Sequence, residues 1–513
     1  MIIHTSQHAI FSGNNQWFLL KRIKIKAKYV IYCTKHLLMC NFNLPLQPKI
    51  KKHHLMKKFL LIGAATLMVS NATYAGDYLT NTNQNAAFLR MLARGASIDV
   101  DGVYSNPAGL SFLEKDGFYL SLTGQSAFQT RNIEATTPLW TLDGKNTTKY
   151  FEGKASAPII PSFQGLYKKG DWTISTHFGI TGGGGKASFD QGLPLFNSLI
   201  TGLITTAPYY KGKIHPSMYN INSAMDGKQY IFGLQLGLSY KLTDWVSIYA
   251  GGRMNYFTGG YEGFLNATLH EEHWQAFPNS YPGYDGTLAK IKLKCDQSGW
   301  GIAPILGVDF KFNKLNIGMK YEFMTNLNIE NKTGEMEVLP SIIEGKLSDY
   351  KEGVNTPSDI PAMFSAAVGY EFLPNLRATV EYHYFDDKNA GMANDRQKAL
   401  THGTHEILVG AEFDLNDKLT FSAGFQNTDY GLSNDFQTDT SFSCDSYSVG
   451  LGARIDLTKG WSMDIAYFWT DYKDYKKVSK KYNGMESPKG PIPGTDIYSR
   501  SNKVFGMTLN YHF

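Results

Sequence analysis

The chain has 513 residues, with 50 Lys or Arg against 45 Asp or Glu, and is 14% aromatic with 31 Tyr, 31 Phe and 50 Gly. No run of about 18 uninterrupted apolar residues occurs, which excludes a transmembrane helix and leaves any crossing of a bilayer to strands. The formal charge of +5 suggests a nucleic-acid partner only while residues 1–75 are counted: they hold eleven Lys or Arg and no acid, and without them the charge is −6.

That first segment divides at Met56. Met56-Lys57-Lys58, the apolar run 59–70 and the small residues of Ala72-Thr73-Tyr74-Ala75-Gly76 predict a signal peptide over 56–75, cleaved after Ala75, with a mature chain of 438 residues. Residues 1–55 read as a mis-assigned N-terminal extension; the alternative is a genuine long leader. Cys295 and Cys444 are the mature cysteines, and either form one disulfide or stand as separate thiols.

Residues 76–116 are small and mixed. The stretch 86–96, rich in Ala, Leu and Met, predicts a helix, and Asn106-Pro107-Ala108-Gly109-Leu110 predicts a tight turn. A folded segment here is positioned to plug a lumen as a hatch; the alternative is a flexible tail.

From Gly117 onward, apolar and polar residues alternate over segments of about ten, the length of a tilted membrane-crossing strand. At the C-terminus Phe505, Met507, Leu509, Tyr511 and Phe513 make one face, and Gly506, Thr508, Asn510 and His512 the other. The segments fall at 117–128, 159–168, 171–181, 229–242, 245–265, 299–312, 315–330, 361–373, 376–386, 404–415, 419–430, 444–457, 461–475 and 502–513. Six tight turns, at 168–171, 243–244, 313–314, 374–375, 416–418 and 458–460, alternate with long irregular connections. Fourteen segments with short turns at one end and long loops at the other predict an all-β fold, a 14-stranded antiparallel transmembrane β-barrel over 117–513 with the turns periplasmic. Trp245, Trp300, Trp461, Trp469 and Tyr511, near segment ends, suit the two interfacial girdles.

The Asn106-Pro107-Ala108 turn, the fourteen segments, the hairpin of 301–313 with 316–322, Ile360-Pro361-Ala362 opening the next segment, and the terminal Val504-Phe505-Gly506 to Phe513 resemble the FadL/TodX-type outer-membrane transporters of long-chain fatty acids and other hydrophobic compounds. The resemblance covers most of the mature chain. It implies capture of a ligand by extracellular loops, a lumen blocked by a hatch, and release through the barrel wall at a kink in the third strand. Where the family often has a Gly-rich stretch in the hatch, this chain has Phe88-Leu89-Arg90-Met91-Leu92-Ala93-Arg94.

Gly179 and the run Gly182-Gly183-Gly184-Gly185 close the third segment, and predict either that kink or simply the start of a loop. Leu193-Pro194-Leu195-Phe196 and the apolar pairs after it predict a ligand-capturing lip or a self-packed loop. By resemblance, Trp274, Phe277, Tyr281, Tyr284, Val338, Leu339, Ile342 and Ile343 belong to the capture groove. Alternation turns Arg253, Lys320, Arg377 and Arg454 into the lumen with Glu322, Glu371, Glu381 and Glu412; such cations either meet a ligand carboxylate or pair across the lumen. His270-Glu271-Glu272-His273 and His402-Gly403-Thr404-His405 do not match a zinc-helix motif, and no nucleophile motif stands out, so no enzyme, metal or cofactor is expected.

These features predict an exported outer-membrane protein, monomeric and surrounded by outer-membrane lipid and lipopolysaccharide, that passively transports hydrophobic small molecules and binds no nucleic acid. The alternative is an adhesin or structural barrel whose long loops bind an external ligand.

Overall fold

The computed structural model describes residues 84–143, 147–206, 213–276, 285–339, 347–487 and 490–513. The expected extension, signal peptide and first hatch residues lie outside them, as do Phe277, Tyr281, Tyr284, Ile342 and Ile343 of the expected groove.

Fourteen antiparallel strands follow the hatch: β1 (Gly117–Thr136), β2 (Thr148–Lys169), β3 (Trp172–Phe189), β4 (Tyr219–Thr243), β5 (Val246–Leu269), β6 (Thr287–Phe312), β7 (Leu315–Glu322), β8 (Met363–Leu373), β9 (Leu376–Phe385), β10 (Thr404–Asn416), β11 (Leu419–Asp429), β12 (Ser446–Asp456), β13 (Trp461–Tyr472) and β14 (Gly494–His512). Each pairs with its sequence neighbours, and β14 returns to β1 from Tyr119↔His512 to Thr136↔Thr495. Closure pairs the first strand with the last, so neither end of the sheet is left as an edge. At the last residue, Phe118 N–H donates to the Phe513 carbonyl at 2.9 Å and Phe513 N–H to the Phe118 carbonyl at 3.0 Å.

Burial runs inside out, as a lipid-facing barrel requires. Gln235 is fully buried while Leu236 beside it is 56% exposed. On β11, Thr420, Ser422, Gln426 and Thr428 point inward and Phe421 and Phe425 outward. At the turn end, Trp172 stacks near Tyr240 with ring centroids 4.3 Å apart, Trp461 on Tyr511 at 4.3 Å, and Phe118 on Phe513 at 5.2 Å, forming the interfacial aromatic girdle.

The strands run further at the loop end than the expected 117–128, 159–168 and 502–513. Above the apolar band, sheet continues as an extracellular extension in which outward positions become charged, for example Lys186 beside Asp226 at 2.9 Å and Lys292 beside Glu335 at 2.9 Å. Three further strands belong to this extension: Asn328–Leu339 pairs with β6, Asn355–Pro357 with Asn328–Leu339, and Tyr475–Ser479 with β14. Inside it, helix α3 (Pro194–Thr206) buries Leu195, Leu199, Ile200 and Ile204 in a cluster with Trp140, Phe151, Tyr482 and Tyr498. Cys295 and Cys444 are both buried and are not bonded to one another.

The hatch, described from Gln84, crosses the lumen. The expected helix over 86–96 is only α1 (Ala86–Arg90), followed by a single turn, α2 (Gly102–Ser105), and a 3-10 turn at Ala108–Phe112. At Met91 the backbone turns extended, with φ −150°. Beyond it the wall takes the hydrogen bonds a helix would have made: Gly95 N–H donates to Glu381 Oε2 at 2.7 Å.

Candidate functional site

The hatch is held by lumen-facing side chains placed by strand alternation. Asn85 Nδ2 donates to Gln164 Oε1 of β2 at 2.7 Å, and Ala86 N–H to Thr508 Oγ1 of β14 at 2.9 Å. Arg90 meets Asp464 at 2.8 Å and Glu412 at 2.5 Å; Arg94 meets Asp101 at 2.6 Å and Glu412 at 3.4 Å. On the opposite wall, Gln235 and Ser239 donate to the Val103 and Pro107 carbonyls at 2.8 and 2.6 Å. In the predicted turn, Asn106 Nδ2 donates to Asp309 Oδ2 at 2.6 Å, Pro107 holds its own φ at −65°, and the Ala108 carbonyl accepts from Ser247.

The four lumen cations of the sequence all meet hatch or wall groups. Arg253 pairs with Glu322 at 2.6 Å and lies 4.5 Å from the Tyr104 ring centroid, whereas Lys320 donates to the Tyr104 carbonyl at 2.8 Å. Arg377 bridges Glu412 and Asp414 at 2.8 and 2.7 Å, and Arg454 reaches Asp99 at 2.6 Å. They sit against hatch and wall, apart from the cavity described next.

That cavity, of about 150 Å³, rests on Gln84 and Leu89 of the hatch and is lined above by Phe442, Tyr261, Arg131 and Arg500, among others. Its side wall is the junction of β2 and β3. These strands pair from Lys169↔Trp172 to Phe163↔Phe178, then only again at Ala155↔Ala187, so 156–162 and 179–186 face one another without ladder pairing. Gly179, Gly182, Gly183 and Gly185 all lie in the unpaired stretch, and the register of β3 against β4 shifts twice there. Gly183 and Gly185 have φ of +91° and +76°, the left-handed region that lets the strand peel away. Ile160, Ile180, Gly182 and Gly183 line the cavity from the two lips, and Ile159 is 76% exposed on the outside. Seven paired residues below the gap rise about 23 Å along the strand, or about 18 Å at a tilt of about 40°. In an apolar band about 25 Å tall, the gap therefore faces the outer leaflet.

Arg131 and Arg500 are direct cross-strand partners on β1 and β14, both lining the cavity. The Arg500 guanidinium lies 4.7 Å from the Tyr472 ring centroid. Sequence alternation missed both because they fall just past the expected ends of their strands.

Leu195 and Phe196 line a second, mainly apolar cavity of about 60 Å³ with Leu265, Leu293, Leu347 and Tyr350. The loop is thus both self-packed and cavity-forming. Asp439, which lines the first cavity, joins the two: it accepts from Leu195 N–H at 2.7 Å and from the Tyr498 hydroxyl at 3.0 Å. Burial pushes its carboxyl above the ordinary aspartate range, opposed by Lys477 and these two donors.

Residues 341–513 match the family described as outer membrane protein beta-barrel domain. No curated protein matches the chain. The crystal structure of a Pseudomonas aeruginosa FadL homologue is 16% identical, covers 85% of this chain and 100% of its own, and has a TM-score of 0.60. The TodX deltaS2S3 mutant monoaromatic hydrocarbon channel is 14% identical over 84% of this chain and 99% of its own, with a TM-score of 0.52. The deltaS2 mutant of the same channel is 14% identical over 85% of this chain and 100% of its own, with a TM-score of 0.51. The closed fourteen-stranded sheet, its apolar outer face and these likenesses together make the chain an outer-membrane β-barrel protein with the fold of the FadL homologue and the TodX channel.

Proposed function

We propose that the protein carries hydrophobic small molecules passively across the outer membrane, catching them at the Leu195–Phe196 cavity, holding them above the hatch, and releasing them sideways between β2 and β3. The observation that carries this reading is that the cavity resting on Gln84 and Leu89 has unpaired strand for one wall. A solute sheltered there has a fastened hatch below it and apolar lips, Ile160 and Ile180, beside it. An apolar molecule gains by moving along such a surface, whereas a wide aqueous pore offers it none.

In this reading Gly179, Gly182 and Gly183 shape the exit, and Arg131 and Arg500 offer a ligand carboxylate a pair of cations. Arg253, Lys320, Arg377 and Arg454, together with the Asn106-Pro107-Ala108 turn, keep the hatch docked. Export on the 56–75 peptide, a hatch beginning at Gly76, a monomeric state and the absence of a cofactor or catalytic step belong to the same proposal. The FadL homologue and the TodX monoaromatic hydrocarbon channel support the class of solute.

The test is uptake of labelled oleate and toluene by cells with and without the protein. Faster entry of at least one is expected; equal entry of both would sink the reading. A large steady conductance in planar bilayers would instead favour an open polar pore.

A further inference from the structure

The extracellular extension is charged differently on its two sides. Around β3 to β6 the outward lysines are neutralised: Lys186 by Asp226 at 2.9 Å, Lys228 by Asp296 at 3.0 Å and Lys292 by Glu335 at 2.9 Å. Around β13 and β14 Lys481 pairs with Glu486 at 2.7 Å, but four others do not pair: Lys473, Lys476, Lys480 and Lys503 are exposed, and among the described residues none has a carboxylate at ion-pair distance.

Strand geometry places Lys503 and Lys476 on the lipid-facing side, and Lys473 and Lys480 flank the latter in sequence. Lys503 shares the outward face of β14 with Phe505, Met507 and Leu509, and its cross-strand partners are Phe128 and Trp469, so it caps the apolar band. Lys476 pairs with Ile497, on that same face of β14 six residues further up. Six residues span about 20 Å along a strand. Lys480 lies just past the end of the added strand Tyr475–Ser479, and Lys473 just before its start. Asp471, which takes the Tyr447 hydroxyl at 2.8 Å, and Asp474 are the carboxylates between 471 and 480, and Asp445 lies near Lys473, so four lysines, Lys473, Lys476, Lys480 and Lys503, face three acids.

A column of unneutralised lysines that starts at the bilayer edge and climbs outward matches a ligand whose anionic groups are stacked along the membrane normal. A phospholipid has its anion at one level. A glycolipid with phosphates at the sugar–acyl junction and further acidic groups on the sugars above has several. We propose that this β13–β14 face binds the phosphorylated glycolipid of the outer leaflet, lipopolysaccharide, through Lys503 at the acyl boundary and Lys473, Lys476 and Lys480 above it. Lysine suits this role as a mobile point charge that meets phosphate without needing a fixed geometry. The inference does not depend on the transport reading, since none of these residues lines either cavity.

The test uses the full-length protein in detergent micelles and measures binding of lipopolysaccharide, its dephosphorylated form and phosphatidylglycerol. Wild-type protein is expected to prefer intact lipopolysaccharide, and K473Q/K476Q/K480Q/K503Q to weaken that binding at least about tenfold, more at low salt than at high. The control K186Q/K228Q/K292Q, on the neutralised side, is expected to stay within about twofold. Unchanged affinity in the quadruple variant, an equal loss in the control, or equal binding of dephosphorylated lipid or phosphatidylglycerol by the wild type would each overturn the proposal. Should the quadruple variant fail to fold, the lipid comparison on wild type and a charge-retaining K473R/K476R/K480R/K503R variant still decide it.

Discussion

Arg90→Met tests what keeps the hatch in place. The Arg90 side chain is 1% exposed; its Nε donates to Asp464 Oδ1 at 2.8 Å and its Nη1 to Glu412 Oε1 at 2.5 Å and Ser422 Oγ at 2.7 Å. Glu412 keeps Arg377 at 2.8 Å and Arg94 at 3.4 Å after the substitution, so most of the penalty falls on Asp464, which retains the Asn510 amide at 2.7 Å but, among the described residues, no cation at ion-pair distance. Stripping one partner from a buried pair costs about 3–5 kcal/mol. The surviving amide argues for the lower end, about 3 kcal/mol, or on the order of a hundredfold in the undocked population. Hydrogen exchange of amides 86–95 is expected to quicken by about that factor, with new bursts of conductance in planar bilayers. Adding Asp464→Asn removes the stranded charge and is expected to restore a large part of the protection. Exchange within about threefold of wild type in Arg90→Met, or no recovery in the double variant, would refute the assignment of hatch docking to this ion cluster.

Gly183→Val puts a branched side chain at φ +91° and its Cβ against the Gln229 carbonyl; a cost of about 1–2 kcal/mol and slower uptake are expected, read by thermal unfolding and labelled-solute entry. Replacing Arg131 and Arg500 by Gln is expected to weaken oleate binding about tenfold and leave toluene entry unchanged, because only oleate brings a carboxylate; equal losses for both solutes would count against the pair. Burial raises the Asp387 carboxyl to about 6 from the usual 3.8, opposed by hydrogen bonds from Thr404, whose N–H meets Oδ2 at 2.8 Å. Folded protein therefore holds a proton there that unfolded chain releases, so stability falls as pH rises from about 4 to about 6 and levels off above. Loop amide protection followed against pH checks this, and Asp387→Asn is expected to flatten that part of the profile.

All fourteen strands were legible because lipid on one side and lumen on the other impose a period of two, and all six tight turns fell where Gly, Asn and Asp interrupt it. The upper ends were not. Above the bilayer, Glu152, Lys154, Lys186 and Asp226 replace apolar residues on the outward face, and the contrast fades although the hydrogen-bonded ladder continues. That loss hid Arg131 and Arg500, whose strands had seemed finished. The hatch was misread for the opposite reason: 86–96 has helical composition, but the lumen wall competes for its backbone and for Arg90 and Arg94. Pairing of Arg253, Lys320, Arg377 and Arg454 with hatch and wall depends on distances across the lumen that no spacing in the chain encodes.

The seam between β2 and β3 has seven residues on one lip, 156–162, and eight on the other, 179–186. Two zippers with unequal tooth counts cannot be drawn shut tooth for tooth; closure would need the surplus residue to bulge out of the ladder. In the proposed transport role, this opening is written into chain length and needs no moving part. In that role, selection among solutes would fall to what the antechamber holds, and a lineage could seal or widen this wall by losing or gaining a single residue.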